Sequence, residues 1–306
     1  MRWAYQGMLI TLPPFSPTLL REVMNWFVDP FLSNTFLLRA LLAGILVSIT
    51  CGIVGTFIVL RGLAFIGDAL AHGVLPGIAV AILFGIPGII GASLGAVVMI
   101  GGISLITRKS RLSSDTAIGL LFVGMLALGV VIVSRSTTFT GDIVRVLFGE
   151  ILGINIQAIF LQVIATLVIA GTAFICSRPF LLLCFNPEQA QVSGFSSSLY
   201  HNIMLAMIAV AVIISFQTVG TMLVFGMLLA PAGAGALIAR RIEAMMAWAA
   251  LIGTLSVYMG LLTSYYFNLA AGSSIVLVAT LIFFGVLVVK NIQLFRNQQT
   301  VKNIDE

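Results

Sequence analysis

Gly67-Asp68-Ala69-Leu70-Ala71-His72-Gly73-Val74-Leu75-Pro76-Gly77 sets a carboxylate and an imidazole four positions apart in an otherwise apolar stretch. The sequence on either side is apolar too, and that decides the fold. Of 306 residues, 60% are hydrophobic and 8% charged, where a soluble chain carries about a quarter charged residues. Runs of roughly twenty apolar residues suffice to cross a hydrocarbon core of about 30 Å. Apolar runs near that length recur at 35–60, 66–85, 87–107, 115–134, 156–177, 202–216, 218–239, 244–266 and 272–290. The fold class is therefore all-α, a polytopic transmembrane helical bundle of roughly eight or nine spans. Pro76, Pro87 and Pro231 kink or break segments, and Gln217-Thr218-Val219-Gly220 leaves a neighbouring span short. Residues 1–34 read as an amphipathic pre-membrane segment, 35–290 as the transmembrane domain and 291–306 as a cytoplasmic C-terminal tail. Arg2 is followed by Pro13, Pro14 and Pro17 without a long apolar core, so a cleaved secretory signal is not expected.

Glycines fall at helix-contact spacing, Gly73 with Gly77 and Gly91 with Gly95, which predicts close backbone approach in a tightly packed bundle. The three cysteines, Cys51, Cys176 and Cys184, have neither disulfide-framework nor metal-ligand spacing and are expected to pack. The net charge of +5 is no nucleic-acid signal, because the basic residues sit in short loops between apolar runs. Arg108, Lys109 and Arg111, then Arg178, then Arg240 with Arg241, then Lys290, Arg296 and Lys302 are consistent with one cytoplasmic side. That places Asp142 and Glu150 in an outer loop, where they could steer cations or dock a partner, and the C-terminus in the cytoplasm. The side of the N-terminus depends on whether there are eight spans or nine.

An ionisable residue inside a bilayer is a functional-site candidate by default. On a helix Asp68 and His72 share a face, so they could hold one divalent cation together; the competing reading is a mutual hydrogen bond that packs two helices. The longest cytoplasmic connection, from Arg178 to about His201, carries a short capped helix. In it Asn186 is the expected N-cap, Pro187 fits the first turn, Glu188 suits the positive helix end and Gly194 fits the stop. Asp115 is the expected N-cap of its own helix, and His201 an interfacial residue at the mouth of a span. There is no GxxxxGK[ST] loop, so the chain does not carry its own P-loop for ATP, and no HExxH or GxSxG pattern supports hydrolase chemistry.

The run from Leu60-Arg61-Gly62 through Gly67-Asp68 and His72 to Leu75-Pro76-Gly77 resembles the signature of bacterial ABC permeases for manganese, zinc and iron(II). Leu112–Gly119, Leu147-Phe148-Gly149-Glu150-Ile151-Leu152-Gly153, Val219–Val224 with Leu229-Ala230-Pro231-Ala232, and Ser264–Asn268 with Gly272-Ser273 resemble that family's further motifs, in order. The resemblance implies a homodimeric permease of the metal/cobalamin-like importer type in a bacterial cell membrane. A separate cytoplasmic ATPase would bind ATP and drive it, and an extracytoplasmic solute-binding protein would deliver the metal. The chain itself would be no enzyme and would hold no permanent cofactor, zinc or manganese being the cargo and iron(II) the third choice. Asn186, Pro187, Glu188, Gln189, Ala190 and Gly194 would form the coupling helix. Asp68 and His72 would contact the metal, with Ser264 the best further candidate and Tyr265 and Asn268 behind it; the late spans carry no histidine. The rivals are a siderophore- or cobalamin-type permease, a stand-alone ion-coupled transporter, and a membrane scaffold.

Overall fold

The computed structural model describes residues 26–110, 112–134 and 153–302, and every regular element among them is helical. Twelve helices follow a helical stretch at 26–33: α1 (Thr35–Arg61), α2 (Ile66–Gly73), α3 (Leu75–Leu83), α4 (Gly88–Lys109), α5 (Ser114–Ser134), α6 (Ile156–Ile175), α7 (Ser177–Phe185), α8 (Pro187–Val192), α9 (Ser197–Val219), α10 (Thr221–Ile238), α11 (Ile242–Phe267) and α12 (Ala271–Lys302). Among the described residues nine spans are long and apolar enough to cross a membrane, α2 and α3 together forming one of them.

The breaks between helices have local causes. α1 stops at Gly62, whose φ of 67° only glycine adopts cheaply; Gly62 N–H then bonds the Val59 carbonyl and Leu63 N–H the Ile58 carbonyl. The joint between α2 and α3 falls at Val74, just before Pro76, which has no N–H to continue the ladder. The residues 217–220 do not shorten α9, which runs helical to Val219 and breaks only at Gly220, with φ of 90°. α5 is capped by Ser113, not Asp115: Ser113 Oγ accepts the Thr116 N–H at 3.2 Å, and Asp115 sits one residue inside, where its charge still favours the positive helix end. Beyond residue 290 the chain continues as helix to Lys302.

The helical stretch at 26–33 is fastened to the C-terminal half of α11. Trp26 stacks on Tyr266 with centroids 4.6 Å apart, and Phe31 on Tyr258 at 5.2 Å. The Tyr266 hydroxyl donates to the Trp26 carbonyl at 2.6 Å and the Tyr258 hydroxyl to the Phe27 carbonyl at 2.9 Å. The start of α1 thus lies at the same end of the bundle as the turn after Phe267. Arg61, the Arg240–Arg241 turn and the far end of α12 lie at the other end, which is the nine-span parity.

α1, α9 and α10 form the centre. α1 packs on α11, α10, α6 and α9, and α10 on α12 and α11. Small residues let the backbones touch: a Cβ at Gly77 would fall 2.1 Å from the Gly91 carbonyl oxygen, and one at Gly95 would fall 3.0 Å from Val74 Cα. Cys51, Cys176 and Cys184 are free thiols, the first two buried.

The sequence reading missed a buried polar knot joining α1, α6 and α9. The Gln162 amide, fully buried, donates to Thr50 Oγ1 at 3.3 Å and Ser215 Oγ at 3.4 Å, and accepts from Thr218 Oγ1 at 3.5 Å. Thr50 and Thr166 hydroxyls lie 2.9 Å apart. In hydrocarbon such groups must satisfy one another, at roughly 0.6 kcal/mol and up to about 1.7 per bond. Gln162→Met is expected to lower stability by about 1–2 kcal/mol, read as a lower thermal midpoint in detergent with the helix content unchanged.

Candidate metal site and coupling segment

α2 is eight residues long, and six of them, Ile66, Gly67, Ala69, Leu70, Ala71 and Gly73, are buried. Its two remaining side chains are the ionisable ones. Asp68 in the first turn and His72 in the last each complement the helix dipole. His72 Nε2 lies 3.4 Å from Asp68 Oδ1, and the two side chains are 21% and 38% exposed in the single chain. The His72 ring is 6.0 Å from that of Phe122.

Neighbouring residues give the depth of the pair. A Cβ at Gly67 would meet Leu228 Cδ1 at 2.8 Å, and one at Gly73 would meet the Met99 sulfur at 3.0 Å. Leu228, Met99 and Phe122 sit near the middles of α10, α4 and α5. Asp68 and His72 therefore lie close to half depth, although Arg61 ends the preceding helix only seven residues earlier. The turn at Gly62–Phe65 and the inward placement of α2 account for this.

The geometry suits a shared ion. Metal bonds of about 2.0–2.2 Å from an imidazole nitrogen and a carboxylate oxygen bring the two donors to about the separation seen. No group of three or more His, Cys, Asp or Glu side chains that could hold a metal ion occurs among the described residues. Two ligands make a partial sphere, with the remaining positions open to water or hydroxyls. Ser264 is not brought beside the pair: it lies in the last turn of α11, where its hydroxyl donates to the Leu269 carbonyl at 2.7 Å. α11 packs on α1, α10 and α12, whereas α2 packs chiefly on α5, α9 and α10. Asp142 and Glu150 lie outside the described residues.

The second candidate region folds as its residues dictate. Asn186 Oδ1 accepts the N–H groups of Glu188 and Gln189, both at 3.1 Å, and caps α8. At the other end Gly194 takes φ of 84° and the Phe195 N–H bonds the Ala190 carbonyl at 3.0 Å. Ala190 is fully buried and seats the helix, so it is the exposed residues that can meet a partner. These are Glu188, Gln189 and Gln191, together with Val192, 89% exposed, and Phe185, 71% exposed, neither of which was singled out from sequence. Their signal was an apolar residue on the solvent side of an otherwise polar loop.

Arg61, which ends α1, carries a contact that its place in the sequence does not announce. Its guanidinium bonds His201 Nδ1 and the Leu183 carbonyl, so His201 is more than an interfacial residue. Burial pushes the thiol of neighbouring Cys184 up, with the Arg61 charge partly opposing the shift.

A multi-pass helical bundle with a capped loop helix and an acid–imidazole pair near mid-depth fits a membrane transport subunit. The chain belongs to the ABC 3 transport family, whose model matches residues 33–290. It is 34% identical over 258 residues to the manganese transport system membrane protein MntC of Listeria monocytogenes, covering 84% of this chain and 92% of that one. The probable iron transport system membrane protein of Haemophilus influenzae is 34% identical over 262 residues, covering 85% and 96%. Among solved structures, PsaBC from Streptococcus pneumoniae in complex with Fab superposes with a TM-score of 0.76 at 33% identity, covering 86% of this chain and 95% of that chain.

Proposed function

We propose that this chain is the permease of an ABC importer for Mn²⁺ in a bacterial plasma membrane. It would act as a homodimer, driven by a separate cytoplasmic ATPase and supplied by an extracytoplasmic solute-binding protein. The observation that carries the reading is the Asp68–His72 pair at mid-depth in a chain of this family. Carboxylate, imidazole and water suit manganese, and neither α2 nor the helices it chiefly packs on, α5, α9 and α10, carries a cysteine to favour zinc. The manganese names of relatives such as MntC support the same choice. Zinc is the second reading, since the same two side chains ligate it well. Arg178, Arg240 and Arg241 support a cytoplasmic position for the α8 end by the positive-inside rule, together with the C-terminus; residues 26–34 would then lie outside.

Two ligands, not three or four, hold a cation firmly enough to strip part of its water and loosely enough to release it. ATP-driven closure of the ATPase would push α8, which is capped at both ends and so moves as a rigid body. Uptake of radiolabelled Mn²⁺ into proteoliposomes holding the chain, its ATPase and its binding protein tests the reading. ATP-dependent accumulation, displaced by unlabelled Mn²⁺ better than by Zn²⁺ or Fe²⁺, is the expected result; accumulation without ATP contradicts it. Asn186→Ala, which removes a cap worth about 1 kcal/mol, is expected to lower uptake several-fold while Mn²⁺ binding is retained, measured by uptake and calorimetry side by side.

A further inference from the structure

The loop that carries α8 is held on both flanks by one side chain. Arg61 Nη2 donates to the carbonyl of Leu183, in the last turn of α7, at 3.4 Å. Arg61 Nη1 lies 2.5 Å from His201 Nδ1, near the start of α9. The guanidinium can only donate, so the imidazole accepts at Nδ1. One turn earlier on the same face of α1, Phe57 meets Phe180 of α7 edge-on, with centroids 5.2 Å apart and both rings fully buried. Arg61 is thus clamped to the frame of the loop and not merely lying near it.

Both ends of the clamp lead somewhere. On the loop side, α8 is tied to α7 by the Asn186 N–H on the Leu182 carbonyl at 2.8 Å, and Phe195 packs on Tyr200 at 5.6 Å. Residues 183–201 accordingly form one continuous body around α8. On the membrane side, the chain passes from Arg61 through the Gly62 turn directly into α2. Ile66 N–H bonds the Leu63 carbonyl at 3.1 Å, and both side chains are buried, so the turn is packed rather than slack. α9, which carries His201, also packs directly on α2.

We propose that Arg61 is the positioning residue that transmits movement of the α8 segment to the helix holding Asp68 and His72. The inference rests on the transport reading above. Its physical basis is the planar fork of the guanidinium, which reaches two acceptors on separate helices at once; a lysine ammonium, a point donor on a flexible stem, does not fix two helices in one plane. When the loop is displaced, Leu183 and His201 carry Arg61 with them, and the packed turn moves α2 relative to α4 and α5. That changes the surroundings of the cation without Arg61 touching it.

The test uses the full complex in proteoliposomes, with three readouts on each variant: Mn²⁺ bound by the purified permease, ATP hydrolysed, and Mn²⁺ transported. Arg61→Gln is expected to assemble with the ATPase, bind Mn²⁺ as the wild type does and hydrolyse ATP. It moves fewer ions per ATP by about tenfold or more, within the usual span of coupling between sites. Arg61→Lys is expected to recover little of that ratio. His201→Ala is expected to lower it partially, and the double variant to be no worse than Arg61→Gln alone. An unchanged ratio of ions to ATP in Arg61→Gln overturns the proposal. So does a parallel loss of Mn²⁺ binding, assembly and hydrolysis, which would make Arg61 a packing residue. A wild type without ATP-driven uptake would overturn the transport reading itself and this link with it.

Discussion

On the proposed reading, Asp68→Ala and His72→Ala are each expected to lower Mn²⁺ uptake about a hundredfold or more while the permease still assembles with its ATPase. Loss of a group that merely supports a metal ligand costs roughly 10–100-fold, and on the proposed reading a ligand itself would be lost from a site where His, Cys, Asp and Glu supply no third one among the described residues. The fold should tolerate both changes. The two side chains are partly exposed, and their mutual contact at 3.4 Å is long for a hydrogen bond. If the pair served only to pack helices, the alanine variants would lose stability and keep transport. Uptake and thermal midpoint measured on the same preparations separate the two: the expected pattern is lost transport with a midpoint near that of the wild type.

Gly77→Leu gives the largest structural effect. A Cβ at Gly77 would stand 2.1 Å from the Gly91 carbonyl oxygen, and one at Gly91 would stand 2.2 Å from that of Gly77. The atoms in the way are backbone on both sides, so no rotamer change relieves the clash and α3 must leave α4. Overpacking typically costs about 1–3 kcal/mol where side chains can give; with backbone on both sides the expected cost is more than about 3 kcal/mol. The variant should show little folded protein by size-exclusion chromatography in detergent. Gly101→Leu on the same α4 is the control, because a Cβ there meets nothing within 4 Å; it should elute as the wild type does.

These two positions mark how far the sequence could be read. The spans were legible because twenty-residue apolar runs have few alternatives, and Gly77, Gly91 and Gly95 were legible as contacts because small residues in a lipid environment have little other use. Asn186 and Gly194 declared the ends of α8 by cap chemistry that depends only on neighbouring residues. Asp68 and His72 were legible as a pair on one helix face through their rarity and their spacing. What escaped depends on contacts distant in sequence. Gln162 meets Thr50, Ser215 and Thr218 only once three helices pack, and nothing in its flanking residues announces that. Arg61 at the end of an apolar run looks the same whether it faces headgroups or clamps Leu183 and His201. That residues 26–34 share an end of the bundle with the turn after Phe267 needed Trp26 and Tyr266 to be seen stacked. Asp115 lost the capping role because Ser113, two residues earlier, has the shorter reach and the right position.

The chain has only two histidines, His72 and His201, which permits a direct test of where the cation sits. Pulsed electron paramagnetic resonance of Mn²⁺ bound to the purified permease reads coupling to an imidazole nitrogen within bonding distance. The account predicts that coupling in the wild type and in His201→Gln, and its loss in His72→Gln. A nitrogen coupling that survives His72→Gln, or one absent from the wild type with Mn²⁺ bound, would contradict the placement of the metal at Asp68 and His72.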